Sequence, residues 1–188
     1  MRVIIGLGNP ERNYKGTRHN IGFETINKLA YDHDIELNRA KFKAHFGEGR
    51  IAGEKVMLVK PQTYMNLSGE CARELLAYYK LCAKDIIVLY DDTAFELGQV
   101  RVRKSGSDGG HNGVKNLIYQ LETTEFDRVR IGIGAKLPGW DLADYVLSQF
   151  KKWEFEDMVY GITRAGNAVE MIVREGMTAA MNMFNPRV

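Results

Sequence analysis

Val3-Ile4-Ile5-Gly6-Leu7-Gly8-Asn9-Pro10 begins as a short apolar run and breaks off into glycines and a polar residue. An unbroken run rich in β-branched residues is what a strand buried on both faces of a parallel sheet looks like. Ile86-Ile87-Val88-Leu89 repeats the pattern and runs on into Tyr90-Asp91-Asp92. The two runs predict the centre of a sheet. Their polar ends fall where open α/β sheets bind ligands, beyond the carboxyl ends of the strands.

Outward from this centre, the stretch 44–60 is split by the turn-like Ala52-Gly53-Glu54 and reads as a hairpin. Gln99-Val100-Arg101-Val102-Arg103 and Arg128-Val129-Arg130-Ile131-Gly132-Ile133 alternate instead, so that Val and Ile face a core and the arginines the opposite side. Helical spacing marks Val114, Leu117, Ile118 and Leu121, and also Cys71, Leu75 and Tyr78. Met158, Ile162, Ala165, Val169 and Ile172 form a longer stripe, a short helix is expected after Gly176, and another covers roughly Phe23 to Asp32. Strands interleaved with helices predict an α/β fold: a mostly parallel or mixed twisted sheet with helices on both faces, in one domain spanning residues 1–188.

The 188 residues fit one ordinary domain, and 45% hydrophobic with 27% charged residues is a globular balance. The apolar run Val3 to Leu7 is too short for a signal-peptide core, and no segment approaches the roughly 18 apolar residues of a membrane helix. A cytoplasmic protein with no membrane partner is expected. Cys71 and Cys82 form neither a disulfide framework nor a metal motif. Net charge is only +2, but Arg101, Arg103, Lys104 and Lys115 face the single acid Asp108, and Arg128, Arg130 and Lys136 follow. This local basic region could be a solvated face or a surface for phosphate.

Gly6-Leu7-Gly8 superficially opens a dinucleotide fingerprint, but the third glycine would fall at Glu11, and no Gly-Lys-Ser/Thr follows any glycine pair. His19 sits on a loop bounded by Gly16 and Gly22 and can reach the strand edge that carries Asn9 and Asp91-Asp92. A neutral imidazole can take a proton from water while a carboxylate on its other nitrogen fixes the tautomer and stabilises the cation. Gly106-Ser107-Asp108-Gly109-Gly110-His111-Asn112-Gly113 leads into the Val114 helix, a setting able to bind an anion through free N–H groups. Pro61 to Gly69 likewise joins a strand to a helix, with Asn66 or Ser68 as candidate caps.

Taken together, Gly6-Leu7-Gly8-Asn9-Pro10 with Tyr14, Thr17-Arg18-His19-Asn20, Tyr64-Met65-Asn66-Leu67-Ser68-Gly69, Asp91-Asp92 and Gly109-Gly110-His111-Asn112-Gly113 closely resemble bacterial-type peptidyl-tRNA hydrolase, in order and spacing. The resemblance implies that His19 is the general base and that Asp91 keeps it basic. It implies that Asn9 contacts the peptide near the ester and helps to tell blocked from free aminoacyl ends. Tyr14, Tyr64, Asn66 and Asn112 would line the tRNA and peptide site, with Met65 and His111 nearby. The partner is then peptidyl-tRNA, the enzyme a monomer, and no cofactor or metal is required. Arg101, Arg103, Lys104 and Arg130 would meet tRNA phosphates. Asn9 is expected to accept the substrate's amide N–H through its side-chain oxygen.

Two places depart from the family pattern. Glu11 stands where glycine is usual, and Thr93-Ala94-Phe95-Glu96 replaces an acidic stretch containing leucine and proline. Both bear on the shape of the groove more than on the His19–Asp91 pair. Three rival readings remain at this point: a nucleotide-cofactor enzyme resting on Gly6-x-Gly8, a metal hydrolase using His19, His111, Asp91 and Asp92, and a non-catalytic RNA-binding relative.

Overall fold

The two apolar runs lie side by side at the middle of a seven-stranded sheet in a computed structural model, which describes residues 1–186. They form β1 (Arg2–Gly6) and β5 (Ile86–Asp92); Val3, Ile4, Ile5 and Ile86 to Leu89 are wholly shielded from solvent. Burying one such side chain contributes roughly 1.5–3 kcal/mol relative to exposure, so these strands carry a large share of the core's stability.

Around them run β2 (Arg39–Lys41), β3 (Ala44–Ile51), β4 (Glu54–Pro61), β6 (Val100–Arg103) and β7 (Asp127–Gly132), in the order β2-β3-β4-β1-β5-β7-β6. The four inner strands β4, β1, β5 and β7 are parallel, while β3 and β6 run antiparallel to their neighbours, as does β2. This is the mixed sheet expected. All four inner strands therefore end on one edge.

Helices α1 (Ile21–Asp32), α5 (Phe155–Glu175) and α6 (Met177–Phe184) pack with Ile4, Ile87 and Leu89 on one face. On the other, α2 (Ser68–Tyr79) and α3 (Asn112–Leu121) pack with Val3, Ile5 and Val88. Cys71 and Leu75 of the expected α2 stripe are buried, whereas Tyr78 is 60% exposed and Ala72 and Leu76 complete the apolar inner face. Tyr78 lies near the C-terminal end of α2, where its ring turns outward and packs against Phe42 and Tyr79.

Neither the short edge strand β2 nor α4 (Leu142–Val146) was expected from the sequence; Asp141 caps α4 by accepting from the Ala143 N–H at 2.9 Å. Five residues are too few to display a period. The first turn of α1 rests directly on the sheet: a Cβ at Gly22 would lie 2.5 Å from the Leu89 carbonyl and 2.7 Å from the Leu7 nitrogen. Only glycine permits that approach, which draws the preceding turn, with His19, over the end of β5. The outer edge of β6 is closed by one side chain. Asn185 accepts from the Val102 N–H at 2.9 Å and donates to the Val102 carbonyl at 3.0 Å.

Candidate active site

His19 lies in a single 3-10 turn, Arg18–Asn20, and both flanking residues are tied down. Arg18 is buried; it grips Glu154 through two bonds of 2.9 and 2.8 Å, donates to Ser148 Oγ at 3.1 Å, and stacks over Tyr145 and Phe150. A bidentate guanidinium–carboxylate pair fixes direction as well as distance. Asn20 is clamped to Asn9, taking its N–H on Oδ1 at 2.9 Å and donating Nδ2 to its carbonyl, also at 2.9 Å. The residues beside the imidazole thus anchor it to the C-terminal helices on one side and to the end of β1 on the other.

Asp91, at the end of β5, is 4% exposed and receives two imidazoles. His19 Nδ1 lies 2.9 Å from each of its oxygens, and His111 Nε2 lies 2.8 Å from Oδ1. The two rings sit 4.9 Å apart, centroid to centroid. Burial alone would push the Asp91 carboxyl up, but the two imidazoles and their hydrogen bonds hold it well below the usual carboxylate range. For His19 the balance also favours charge: burial pulls it down, and the charge and hydrogen bond of Asp91 raise it above its ordinary value. With Nδ1–H given to Asp91, Nε2 is the basic nitrogen, and among the described residues nothing in the protein bonds it.

This pair opens on a groove of about 830 Å³, lined by Asn9, His19, Tyr64, Met65, Asn66, Asp91, His111 and Asn112. Asn66 and Asn112 are exposed, and neither amide is engaged by another residue among those described. Neither Asn66 nor Ser68 caps α2; Ser68 instead donates to the Met65 carbonyl at 2.8 Å. Tyr14, expected to line the site, is not among the residues that line the groove, and Tyr64 donates its hydroxyl to Glu11. The loop 105–110 and, unforeseen, the apolar Leu142, Val146 and Leu147 of α4 and its end form the remaining wall.

Asn9 departs from expectation at the level of atoms. Its Oδ1 already accepts from the Met65 N–H at 2.8 Å, so the group left for a ligand is the donor Nδ2. The basic region also divides. Arg103 and Arg130 line the groove, Arg130 giving its Nε to Asp92 at 2.8 Å. Arg101 and Arg130 both stack on Phe95, while Lys104 reaches Thr178 on α6. Arg128, read from its alternation as part of a basic face, is 1% exposed and donates to the Ser107 and Gly106 carbonyls of the loop and to Thr124. It is a loop brace, which alternation cannot distinguish from a surface cation.

The ligand atoms of His19, Asp91 and His111 lie within 4.8 Å of one another, close enough to suggest a metal. However, His111 Nδ1 accepts from the Val114 N–H at 3.3 Å, which puts the ring proton on Nε2, facing Asp91. A donor N–H offers no lone pair to a cation, so the arrangement is that of a hydrogen-bonded triad. A dinucleotide reading fares no better, because only short 3-10 turns at Arg12–Tyr14 and Arg18–Asn20 follow Gly6 and Gly8 before α1 begins at Ile21.

A family model described as peptidyl-tRNA hydrolase matches residues 3–188. The chain belongs to the peptidyl-tRNA hydrolase family. A peptidyl-tRNA hydrolase of Lachnoclostridium phytofermentans is 53% identical over 187 residues, covering 100% of this chain and 98% of that protein. The Bacillus subtilis peptidyl-tRNA hydrolase is 48% identical over 188 residues, covering both chains in full. The crystal structure of peptidyl-tRNA hydrolase from Acinetobacter baumannii superposes with a TM-score of 0.92 at 33% identity, covering 98% of this chain and 94% of that one. The α/β architecture is thus that of the peptidyl-tRNA hydrolases.

Proposed function

We propose that the groove hydrolyses the ester between a peptide and the 3' end of tRNA with His19 as general base. The observation that carries this reading is the spending of His19 Nδ1–H on buried Asp91, which leaves Nε2 as a lone pair on the groove. Water bonded to Nε2 gives up a proton as its oxygen attacks the ester carbonyl. The developing oxyanion is met by an amide donor from Asn66 or Asn112. Collapse of the tetrahedral intermediate breaks the bond to the ribose oxygen, and the imidazolium returns its proton to that leaving alcohol. An alcohol leaves far more readily than an amine, so no covalent nucleophile is needed.

Asn9 Nδ2 donates to the acyl carbonyl that a blocked amino group carries and a free one lacks. A groove of this size holds the terminal nucleotide together with the first residues of the peptide, within the usual range of about 300–1,000 Å³. Arg103, and to a lesser degree Arg130, Arg101 and Lys104, meet phosphates of the tRNA. On this reading the enzyme acts as a monomer. No helix among the described residues is long and apolar enough to cross a membrane, in keeping with action in the cytoplasm.

The test is release of labelled peptide from peptidyl-tRNA by the purified protein and by His19→Ala. Folded His19→Ala protein that turns over like the parent removes His19 from the mechanism. Loss of activity in excess EDTA would favour a metal instead.

A further inference from the structure

We propose that His111 is a positioning residue for the base: its Nε2–H holds Asp91 against His19, and the N-terminus of α3 enforces that role by using Nδ1 as its cap. The proposal rests on His19 being the base and adds a second imidazole that acts on it through the shared carboxylate.

A neutral imidazole has one N–H and one lone pair. His111 precedes α3 with extended backbone (φ −80°, ψ 115°), the geometry of an N-cap residue, and its Nδ1 accepts from the Val114 N–H at 3.3 Å. That bond consumes the lone pair at Nδ1 and leaves the proton on Nε2, 2.8 Å from Asp91 Oδ1. The opposite tautomer would oppose two N–H groups at the helix and aim a lone pair at a carboxylate. Local packing fixes the ring as well: Tyr90 stands edge-on to it at 5.1 Å, and a Cβ at Gly113 would come within 3.2 Å of its Cε1.

Asp91 therefore accepts from two rings at once. An N–H from His111 stabilises the carboxylate, so Asp91 pulls less hard on the proton of His19. Without it the carboxylate is more basic, His19 holds its proton to higher pH, and less of the enzyme carries a free base at neutrality. The other charged groups on the groove are Asp92 of β5, Arg103 of β6, Arg128 and Arg130 of β7 and Asp108 of the loop. Asp92 is paired to Arg130, and Arg128 is bound to the loop carbonyls.

Two substitutions separate the functions. His111→Asn places an oxygen near Nδ1, so it keeps the cap and loses the bond to Asp91. His111→Gln places an amide nitrogen near Nε2, so it keeps the bond and loses the cap. With N-acetylated aminoacyl-tRNA as substrate, His111→Asn should keep its Tm and its KM. Its kcat should fall, and the acid limb of its pH profile should rise by roughly half a unit to one unit. His111→Gln should retain the acid limb and lose about 2–4 °C in Tm, as expected for loss of a cap in a chain of this size. Two variants with the same acid limb as the parent, or a loss confined to KM, overturn the proposal. If neither variant folds, nitrogen NMR of the unaltered protein decides, because His111 must be the Nε2–H tautomer and an Nδ1–H signal sinks the idea. An active His19→Ala protein would instead remove the base reading itself, whatever His111 does.

Discussion

Asn9 carries the Met65 N–H on its side-chain oxygen at 2.8 Å, which turns its amide nitrogen into the free end. A backbone N–H can only face the oxygen, so the orientation of this amide is set by the turn before α2. Asn9→Asp keeps the acceptor for Met65 and removes the donor. It should cut kcat/KM on N-acetylated aminoacyl-tRNA by about tenfold, the worth of one hydrogen bond of about 1.4 kcal/mol, with a smaller change on free aminoacyl-tRNA. An unchanged ratio of the two substrates would move discrimination to Asn66 or Asn112.

The pH profile tests the Asp91–His19 pair. A base works unprotonated, and Asp91 raises His19, so activity should be lost as pH falls through a value above the ordinary 6.5. In Asp91→Asn the charge is gone while burial remains, so the limb should move to lower pH and kcat should fall by roughly 10²-fold or more. The linked stability has two windows. Because the folded His19 value is raised, its contribution is full below about pH 6.5 and is lost as pH rises through the folded value. Because the folded Asp91 value is lowered, its contribution is full above about pH 3.9 and is lost as pH falls toward the folded value. Urea midpoints measured against pH should therefore be highest between the two windows, and Asp91→Asn should flatten the dependence.

Salt dependence of tRNA affinity should single out Arg103. Removing a single cation–phosphate pairing flattens the slope of log K against log salt by about 0.7 to 0.9. Arg103→Ala should give one such step and leave hydrolysis of a minimal N-acetylaminoacyl adenosine ester unaltered. Arg130 is already partnered by Asp92, so Asp92→Asn should steepen the slope by freeing it. A slope that ignores both changes marks the region as a solvated face.

Glu11 should set a charge preference on the peptide. Its carboxylate takes the Tyr64 hydroxyl at the rim of the groove, close to Asn9, and holds the Tyr64 phenol above its usual range. An acidic peptide side chain passing there is repelled and a basic one attracted, by an amount suited to exposed charges, about 0.2–1 kcal/mol. Glu11→Gln should narrow the difference in KM between lysine-bearing and glutamate-bearing peptidyl-tRNAs, at most about fivefold. Identical KM values for the two substrates in the parent would leave Glu11 as a tether for Tyr64 alone.

Much of this site could be read in the sequence because its parts are punctuated. Apolar runs that stop at Asn9 and at Asp91 announce strand ends, and glycines around His19 and His111 announce loops that can reach them. Lateral bonds were not legible. Nothing in the local pattern tells that Arg18 meets Glu154, that Arg128 is interior, or that Asn20 clamps Asn9, since each partner is chosen by tertiary packing. The same holds for α4, whose five residues display no period, and for Asn9, where the expected acceptor proved to be the occupied atom.

Asn185 gives Val102 both hydrogen bonds that a neighbouring strand would give it. At the opposite margin of the sheet β2 is short and fully exposed, and Arg39 and Lys41 flank Ala40. Neither margin is a good template for another chain: one is already occupied by an amide, the other repels by charge. On the proposed function the groove handles peptide chains, and margins closed in this way keep the sheet from being lengthened by an extended one. Asn185→Leu would remove that guard and turn β6 into a place where a stalled chain could adhere.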